Sequence, residues 1–487
     1  MLPTIRIVLL LLLGLARIGL AGPWPTDDAL LPTQAQNVAL PASMIMPLSP
    51  DHTAFRSVAL LNDQCSAFFI DSHGAPGSPA YLLTAAHCVE DISPLNENLI
   101  VQHQRVMFRA LFNRFTDTLH EAVPVGVDQI AYSTLKGMDI AVLRTDRTVA
   151  QMGTLGLEPL VVAERLPAVG SPVTLTAMAN GNALTVQTCT LQPPVDLVQG
   201  PLHFYGFLGT RCRAMIGMAG GALLGPTGEG PAQVIGLLSS GTESAPWQGI
   251  TCATGHPCAV TANGLLPQRQ HSFGTPLVGV GHCFSEGVLH VENHDCPLPL
   301  SSGLAITDPP PAATGNQAQR HTWGFSVNRL PRGLKRKIIN VTTARHSCQD
   351  LDGYADTPAD FDFAGQRLPA DDGVYQYCLL PTDAASAREA DAIMVTVTNL
   401  APNHLPDVQL HREAGEPLVF FPGTRAADLD YAYWLTSTSQ PCPTKDNALY
   451  QRIGQAQWLR LPRSPGRLCA YALDAANNTS DVKGFDY

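Results

Sequence analysis

The chain has 487 residues, with 30 Lys and Arg against 41 Asp and Glu, a formal charge of −11, and only 15% charged residues. No basic cluster or tract interrupts this acidic balance, which excludes the electropositive surface that binds nucleic acid or an anionic membrane. Gly and Pro number 41 and 40, and short Val, Ile, Leu, Thr and Phe runs lie between turn residues, so the composition predicts an all-β, loop-rich protein.

Residues 1–21 read as a secretory signal peptide. Arg6 gives a minimal positive n-region, 7–16 is apolar, and Gly19-Leu20-Ala21 offers a small-x-small cleavage site. The apolar stretch ends at Arg17, short of the roughly 20 residues that cross a bilayer, and no later stretch is long enough. The expected product is secreted or periplasmic, with no membrane span. Residues 22–42 are an N-terminal extension without an assigned role. Twelve cysteines, an even number, suit an oxidising destination. Zinc would need CxxC-type spacing, which does not occur, so neither metal nor cofactor is expected. Pairing neighbours along the chain gives Cys65–Cys88, Cys189–Cys212, Cys252–Cys258, Cys283–Cys296, Cys348–Cys378 and Cys442–Cys469. Spacing alone does not fix that connectivity.

Residues 43–302 show short strands and tight turns. Strands are predicted at 54–61, 65–70, 81–84, 105–112, 139–143, 172–178, 184–191, 222–224 and 233–238, a series that suits a sandwich or a pair of barrels. Residues 303–320 are expected to be a linker, because the Pro-rich run 308–315 favours an extended chain. A weak repeat follows. Asp371-Asp372-Gly373-Val374-Tyr375-Gln376-Tyr377-Cys378 has a counterpart in Pro465-Gly466-Arg467-Leu468-Cys469, and each block is preceded by a cysteine, Cys348 or Cys442. Units over 321–400 and 401–487 resemble small immunoglobulin-like sandwiches. Neither has the buried Trp expected between the cysteines of antibody-type domains, and one larger β-domain is the alternative.

Three stretches carry chemistry. Leu83-Thr84-Ala85-Ala86-His87-Cys88 places a histidine just after an apolar strand, where Cys65 can hold its loop. A general base needs such rigidity, since a displacement of about 1 Å is costly in rate. Gly137-Met138-Asp139-Ile140-Ala141-Val142-Leu143 puts a carboxylate at the mouth of a buried strand, a costly burial unless it is paired. Gly217-Met218-Ala219-Gly220-Gly221 is a glycine-rich turn.

In this order the three stretches resemble the His, Asp and Ser motifs of chymotrypsin/trypsin-like serine peptidases, over a little more than half the chain. The resemblance implies a double β-barrel with His87 as base, Asp139 as its orienting acid, and Ala219 where the family carries its nucleophilic serine. It implies that the Gly217 and Ala219 N–H groups form the oxyanion hole, which a methyl side chain does not prevent. Gly236-Leu237-Leu238-Ser239-Ser240-Gly241 resembles the segment that hydrogen-bonds a substrate backbone, making Ser239 and Gly241 substrate-binding residues. Arg213 falls near the expected floor of the specificity pocket, where it would favour an acidic side chain. Met218 stands where pancreatic-type relatives have the Asp that receives a freed N-terminus, and no Ile-Val-Gly-Gly start exists. The chain is therefore closer to bacterial members.

Alanine has no nucleophilic atom, and no replacement is evident: Ser66, Ser239 and Ser240 lack the required turn. The alanine is either natural or introduced, and a retained signal peptide favours the first. Other signals are weak. His290 and His294 are spaced as HxxxH, but on a β segment this does not bring the rings together. Asn340 and Asn477 begin glycosylation sequons, and the acids at Asp428 and Asp430 are expected to be solvated. The sequence thus predicts an exported peptidase homologue that binds peptide or protein partners without cutting them. The alternatives are an active serine endopeptidase whose serine is missing only from this version, and a structural or adhesive protein.

Overall fold

The structure, a computed structural model, describes residues 55–90, 98–179, 183–226, 230–241, 252, 257–261, 264–268, 271–310, 313–314, 322–328, 333–341, 347–397, 408–413, 416–421, 430–445, 449–453, 457–473 and 479–487. The signal peptide and the N-terminal extension lie outside the described residues, as do Asp428 and parts of both sequons.

Six strands form a closed barrel: β1 (Val58–Leu61), β2 (Cys65–Ile70), β3 (Pro79–Thr84), β4 (Ile100–Phe112), β5 (Val123–Thr134) and β6 (Ile140–Thr148). Its order is β1-β2-β3-β6-β5-β4, and β1 closes it by pairing Leu60 with Leu111 and Leu61 with Ala110. The first strands are apolar on both faces, because successive side chains alternate sides and both sides are covered. Ala59, Leu61, Ala67, Phe69, Ala80, Leu82, Ala141 and Leu143 fill the barrel. Val58, Leu60, Phe68, Ile70, Tyr81, Leu83, Ile140 and Val142 point outward into a second core.

That second core lies between the barrel and a nine-stranded sheet. The sheet contains β7 (Pro172–Met178), β8 (Leu184–Thr190), β9 (Val195–Gln199), β10 (Leu202–Thr210), β11 (Ala222–Gly225), β12 (Gln233–Gly241), β13 (Cys258–Thr261), β14 (Gly264–Pro267) and β15 (Ser272–Pro276), in the order β14-β13-β9-β10-β15-β12-β11-β7-β8. Six of these strands curl so that Leu191, just after β8, bridges Thr210 at the end of β10. This second barrel is closed by one bridge rather than a ladder. Met178, Leu184, Ala222, Leu224, Val234 and Leu237 meet the first barrel's outward face. The segment after β15 seals the seam: Cys283 and Cys296 are bridged and buried there, and the Tyr132 hydroxyl donates to Pro299 O at 2.8 Å. The architecture is nearly all-β, with one short α-helix, Val149–Thr154, among the described residues. Thr148 and Gln151 cap it reciprocally.

The C-terminal region departs from the expected string of modules. Ala305–Thr307, in the expected linker, pairs with Ser326–Asn328, and Ala313–Thr314 runs parallel to Asp391–Val397. Leu304 and Ile306 supply the reason, since both pack on the aromatic core of Trp323, Phe325, Phe363 and Tyr377. A five-stranded sheet built on Gly373–Pro381 carries that core on one face. Its other face shares a core with the second barrel: Ile339, Val341, Val374, Leu380 and Met394 meet Val198, Val260 and Leu265. This unit is packed against the second barrel through that shared core.

Farther on, a sheet of Gln409–Glu413, Glu416–Phe421 and Gln457–Arg460 faces one of Gln451–Ile453, Asp430–Thr436, Arg467–Leu473 and Lys483–Asp486. Val419 and Phe421 pack against Tyr431, Leu468 and Ala470 between them. This is a seven-stranded sandwich. Cys442, in the segment after Asp430–Thr436, bridges Cys469 within the four-stranded side. An antibody-type bridge instead joins the two sheets. All six sequence-neighbour cysteine pairs are bridged.

Candidate active site

The two barrels meet where the three motifs lie. β3 ends at Thr84, and a single 3-10 turn, Ala86–Cys88, carries His87. The Cys65–Cys88 disulfide ties this turn to the start of β2. Asp139 sits immediately before β6 and is 1% exposed. Its carboxylate is fully engaged by donors. His87 Nδ1 lies 2.7 Å from Oδ2, the Ser239 hydroxyl donates to Oδ2 at 2.6 Å, and the His87 backbone N–H donates to Oδ1 at 3.1 Å. Thr275 clamps the Asp139 backbone, donating to its carbonyl at 2.8 Å and accepting from its N–H at 3.3 Å.

Burial opposes charge on His87, but the Asp139 carboxylate, through its charge and its hydrogen bond, outweighs this and raises the imidazole pKa. Burial would likewise raise Asp139. The paired imidazole, the Ser239 hydroxyl and the His87 amide hold it below the usual carboxylate value instead. The result is an oriented imidazole with Nδ1 committed to Asp139, which leaves Nε2 for the cleft.

The glycine-rich turn is pinned from below. The Ser66 N–H donates to Ala219 O at 2.7 Å, and the Ser66 hydroxyl donates to Gly217 O at 3.0 Å while accepting from the Met178 N–H at 2.8 Å. Gly217 has φ +88° and Gly220 φ +80°, and a Cβ on Gly220 would lie 2.0 Å from Ser66 O. No larger residue fits at 220. Met218 is fully buried, so its side chain helps anchor the loop through apolar contact. Among the described residues, no protein acceptor takes the Gly217 N–H, the Ala219 N–H or His87 Nε2.

His87, Gly217, Ala219, Ser239, Ser240 and Gly241 line one cleft of about 720 Å³, together with Met215 and Ile216. Ile216 is 73% exposed. The structure thus brings together His87, Asp139, Ala219, Gly217, Ser239 and Gly241. Ser239 lines the cleft while its hydroxyl is turned onto the buried Asp139 carboxylate. Arg213 is not among the described residues that line the cleft. The Gln187 side chain holds its backbone, accepting from the Arg213 N–H at 2.8 Å and donating to its carbonyl, while Ala214 forms the cleft wall. His290 and His294 form no cluster either; the exposed His294 pairs with its neighbour Asp295 at 2.9 Å.

The sequence did not point to Ser66 or Thr275 as supports. Neither lies in a spacing pattern; each is identified only by what the fold sets beside it. Nor did it point to Lys136, three residues before Asp139. Its ammonium donates to Asp391 Oδ1 at 2.7 Å, Leu300 O at 2.9 Å and Glu389 O at 3.1 Å, joining the first barrel to the C-terminal sheet. The Asn98 amide and the Ala392 backbone exchange two further hydrogen bonds at 2.6 and 2.7 Å.

Several solved structures resemble part of the chain. The active form of the Rv3671c protease from M. tuberculosis is 13% identical, covering 54% of this chain and 93% of that chain at TM-score 0.31. The MamO protease domain from Magnetospirillum magneticum is 16% identical, covering 47% and 95% at TM-score 0.31. No curated relative matches. A family model, that of the trypsin-like peptidase domain, matches residues 65–237, from the bridged Cys65 on β2 to Leu237 on β12. Residues 65–237, which hold His87, Asp139 and Ala219, match the trypsin-like peptidase domain.

Proposed function

We propose that this protein is an exported trypsin-like peptidase homologue that binds peptide or protein partners in the inter-barrel cleft and does not cleave them. One observation carries the reading: Ala219 lines the cleft beside an oriented His87–Asp139 pair, with the Gly217 and Ala219 amides unengaged. The imidazole can accept or donate a proton, and the amides can stabilise negative charge on an oxygen. No atom on residue 219 can attack a carbonyl, so no acyl-enzyme forms. β12 pairs with β11 only over Gln233–Leu237, and its continuation past the cleft at Ser240 and Gly241 suits a ligand that adds an extended strand. Six disulfides and the signal-type leader support an oxidising compartment.

The completeness of the surroundings also favours a second reading, an active endopeptidase whose serine is replaced in this version. Both readings turn on one substitution, Ala219→Ser. The chain as written should not label with a fluorophosphonate probe, whereas the serine form should label and hydrolyse a casein substrate. In serine proteases the nucleophile accounts for about 10⁶-fold in turnover. An inert serine form would show that more than the hydroxyl is missing and would favour a binding role. Hydrolysis by the chain as written would overturn the proposal.

A further inference from the structure

The cleft combines features that suit one kind of peptide end. Two backbone N–H groups, from Gly217 and Ala219, have no acceptor among the described residues. His87 Nε2 has no partner there either, because Nδ1 is taken by Asp139 at 2.7 Å. Ala219 leaves unfilled the space that a hydroxyl would occupy next to its methyl. The remaining wall is mostly apolar, with Ala214, Met215, Ile216 and Leu238, and among the described lining residues only His87 can carry positive charge. An internal peptide carbonyl has one oxygen, which can use the two amides but leaves Nε2–H without an acceptor. A carboxylate has two oxygens. One fits the amides, and the second takes the Nε2–H in the space the missing hydroxyl leaves open.

We infer that the cleft recognises the free α-carboxylate at the C-terminus of a peptide or protein. The inference rests on the peptide-binding reading above and specifies its ligand class. It follows from the donors the cleft brings together: hydrogen bonds from an imidazolium to a carboxylate are charge-assisted, roughly twice as strong as neutral ones.

The charges around His87 set its pH dependence. Asp139 holds Nδ1, and burial, with a smaller push from the Asp139 charge, raises the Glu90 carboxyl. Asp63, in the turn between β1 and β2, lines the cleft and pairs with Arg109 at 3.2 Å. The described cleft residues of the second barrel add no charge. His87 titrates above its ordinary value, and a peptide carboxyl is ionised above about pH 3.5. Preference for a free acid is therefore full near pH 5.5 and declines as the pH rises through the His87 pKa.

The test uses the full secreted chain and a pooled, N-terminally fluorescent random octapeptide library made twice, as C-terminal acids and as C-terminal amides. The acid pool is expected to bind about tenfold more tightly than the amide pool at pH 5.5. That ratio should shrink by pH 9, and His87→Gln should make it independent of pH. Equal binding of the two pools at both pH values overturns the inference and leaves the peptide-binding reading standing. A ratio that keeps its pH dependence in His87→Gln also overturns it. Binding of neither pool removes both readings.

Discussion

Replacing Asp391 with alanine leaves the Lys136 ammonium buried without its counter-charge. The two side chains are 6% and 3% exposed, so solvent cannot stand in for the lost carboxylate. Lys136 keeps the Leu300 and Glu389 carbonyls, which satisfy two of its protons but carry no charge. Removing one partner of such a buried pair typically costs about 3–5 kcal/mol. At about 2–4 °C per kcal/mol for domains of comparable size, the unfolding midpoint should fall by on the order of 10 °C. A double-mutant cycle separates the pair from the site: Lys136→Met with Asp391→Leu replaces both charges with apolar groups and should recover most of the loss. The assay is thermal unfolding followed by far-UV circular dichroism with the disulfides intact. If Asp391→Ala stays within about 0.5 kcal/mol of the parent, the ion pair does not couple the barrel to the C-terminal sheet and the reasoning fails.

Other expected outcomes follow from the same geometry. Asp139→Asn removes the charge that raises His87, so a side-chain nitrogen NMR titration should show the His87 pKa falling below that of the parent; an unchanged value would mean the pair is not coupled. Because the folded His87 pKa is raised, its stabilising contribution is full below about pH 6.5 and is lost as the pH rises through the raised value. The Asp139 contribution has the opposite sense, present above about pH 4 and lost as the pH falls through its lowered value. Calorimetry across both windows should therefore show stability declining at each end. Gly220→Ala places a Cβ against Ser66 O at φ +80° and should cost more than about 2 kcal/mol of stability or prevent folding. Parent-like unfolding of that variant would mean the turn is not held as described.

Much of the site is legible in the sequence because its chemistry is local. His87, Asp139 and the glycine turn each sit beside an apolar strand run, and strand runs with turn residues between them are what a sequence displays best. The second barrel's single-bridge closure was not legible, because Leu191 and Thr210 meet through curvature rather than pattern. Residues 303–320 read as a linker because proline dominates locally, yet Leu304 and Ile306 pack beneath Trp323 and Phe325. A long-range aromatic core outweighed the local composition. The supports of Asp139 show the same limit. Ser239 lies in a stretch that resembles a substrate-binding segment, but its hydroxyl turns inward to meet a carboxylate 100 residues away.

On the proposed reading, the site lacks only the hydroxyl at residue 219. Burst-phase labelling of Ala219→Ser by a fluorophosphonate probe, with the Ala219 chain and an Ala219→Ser/His87→Ala double variant alongside, tests it most directly. The serine form should label stoichiometrically, the parent not at all, and the double variant more slowly by orders of magnitude because the oriented base is gone. A serine form that labels no faster than the double variant would contradict it.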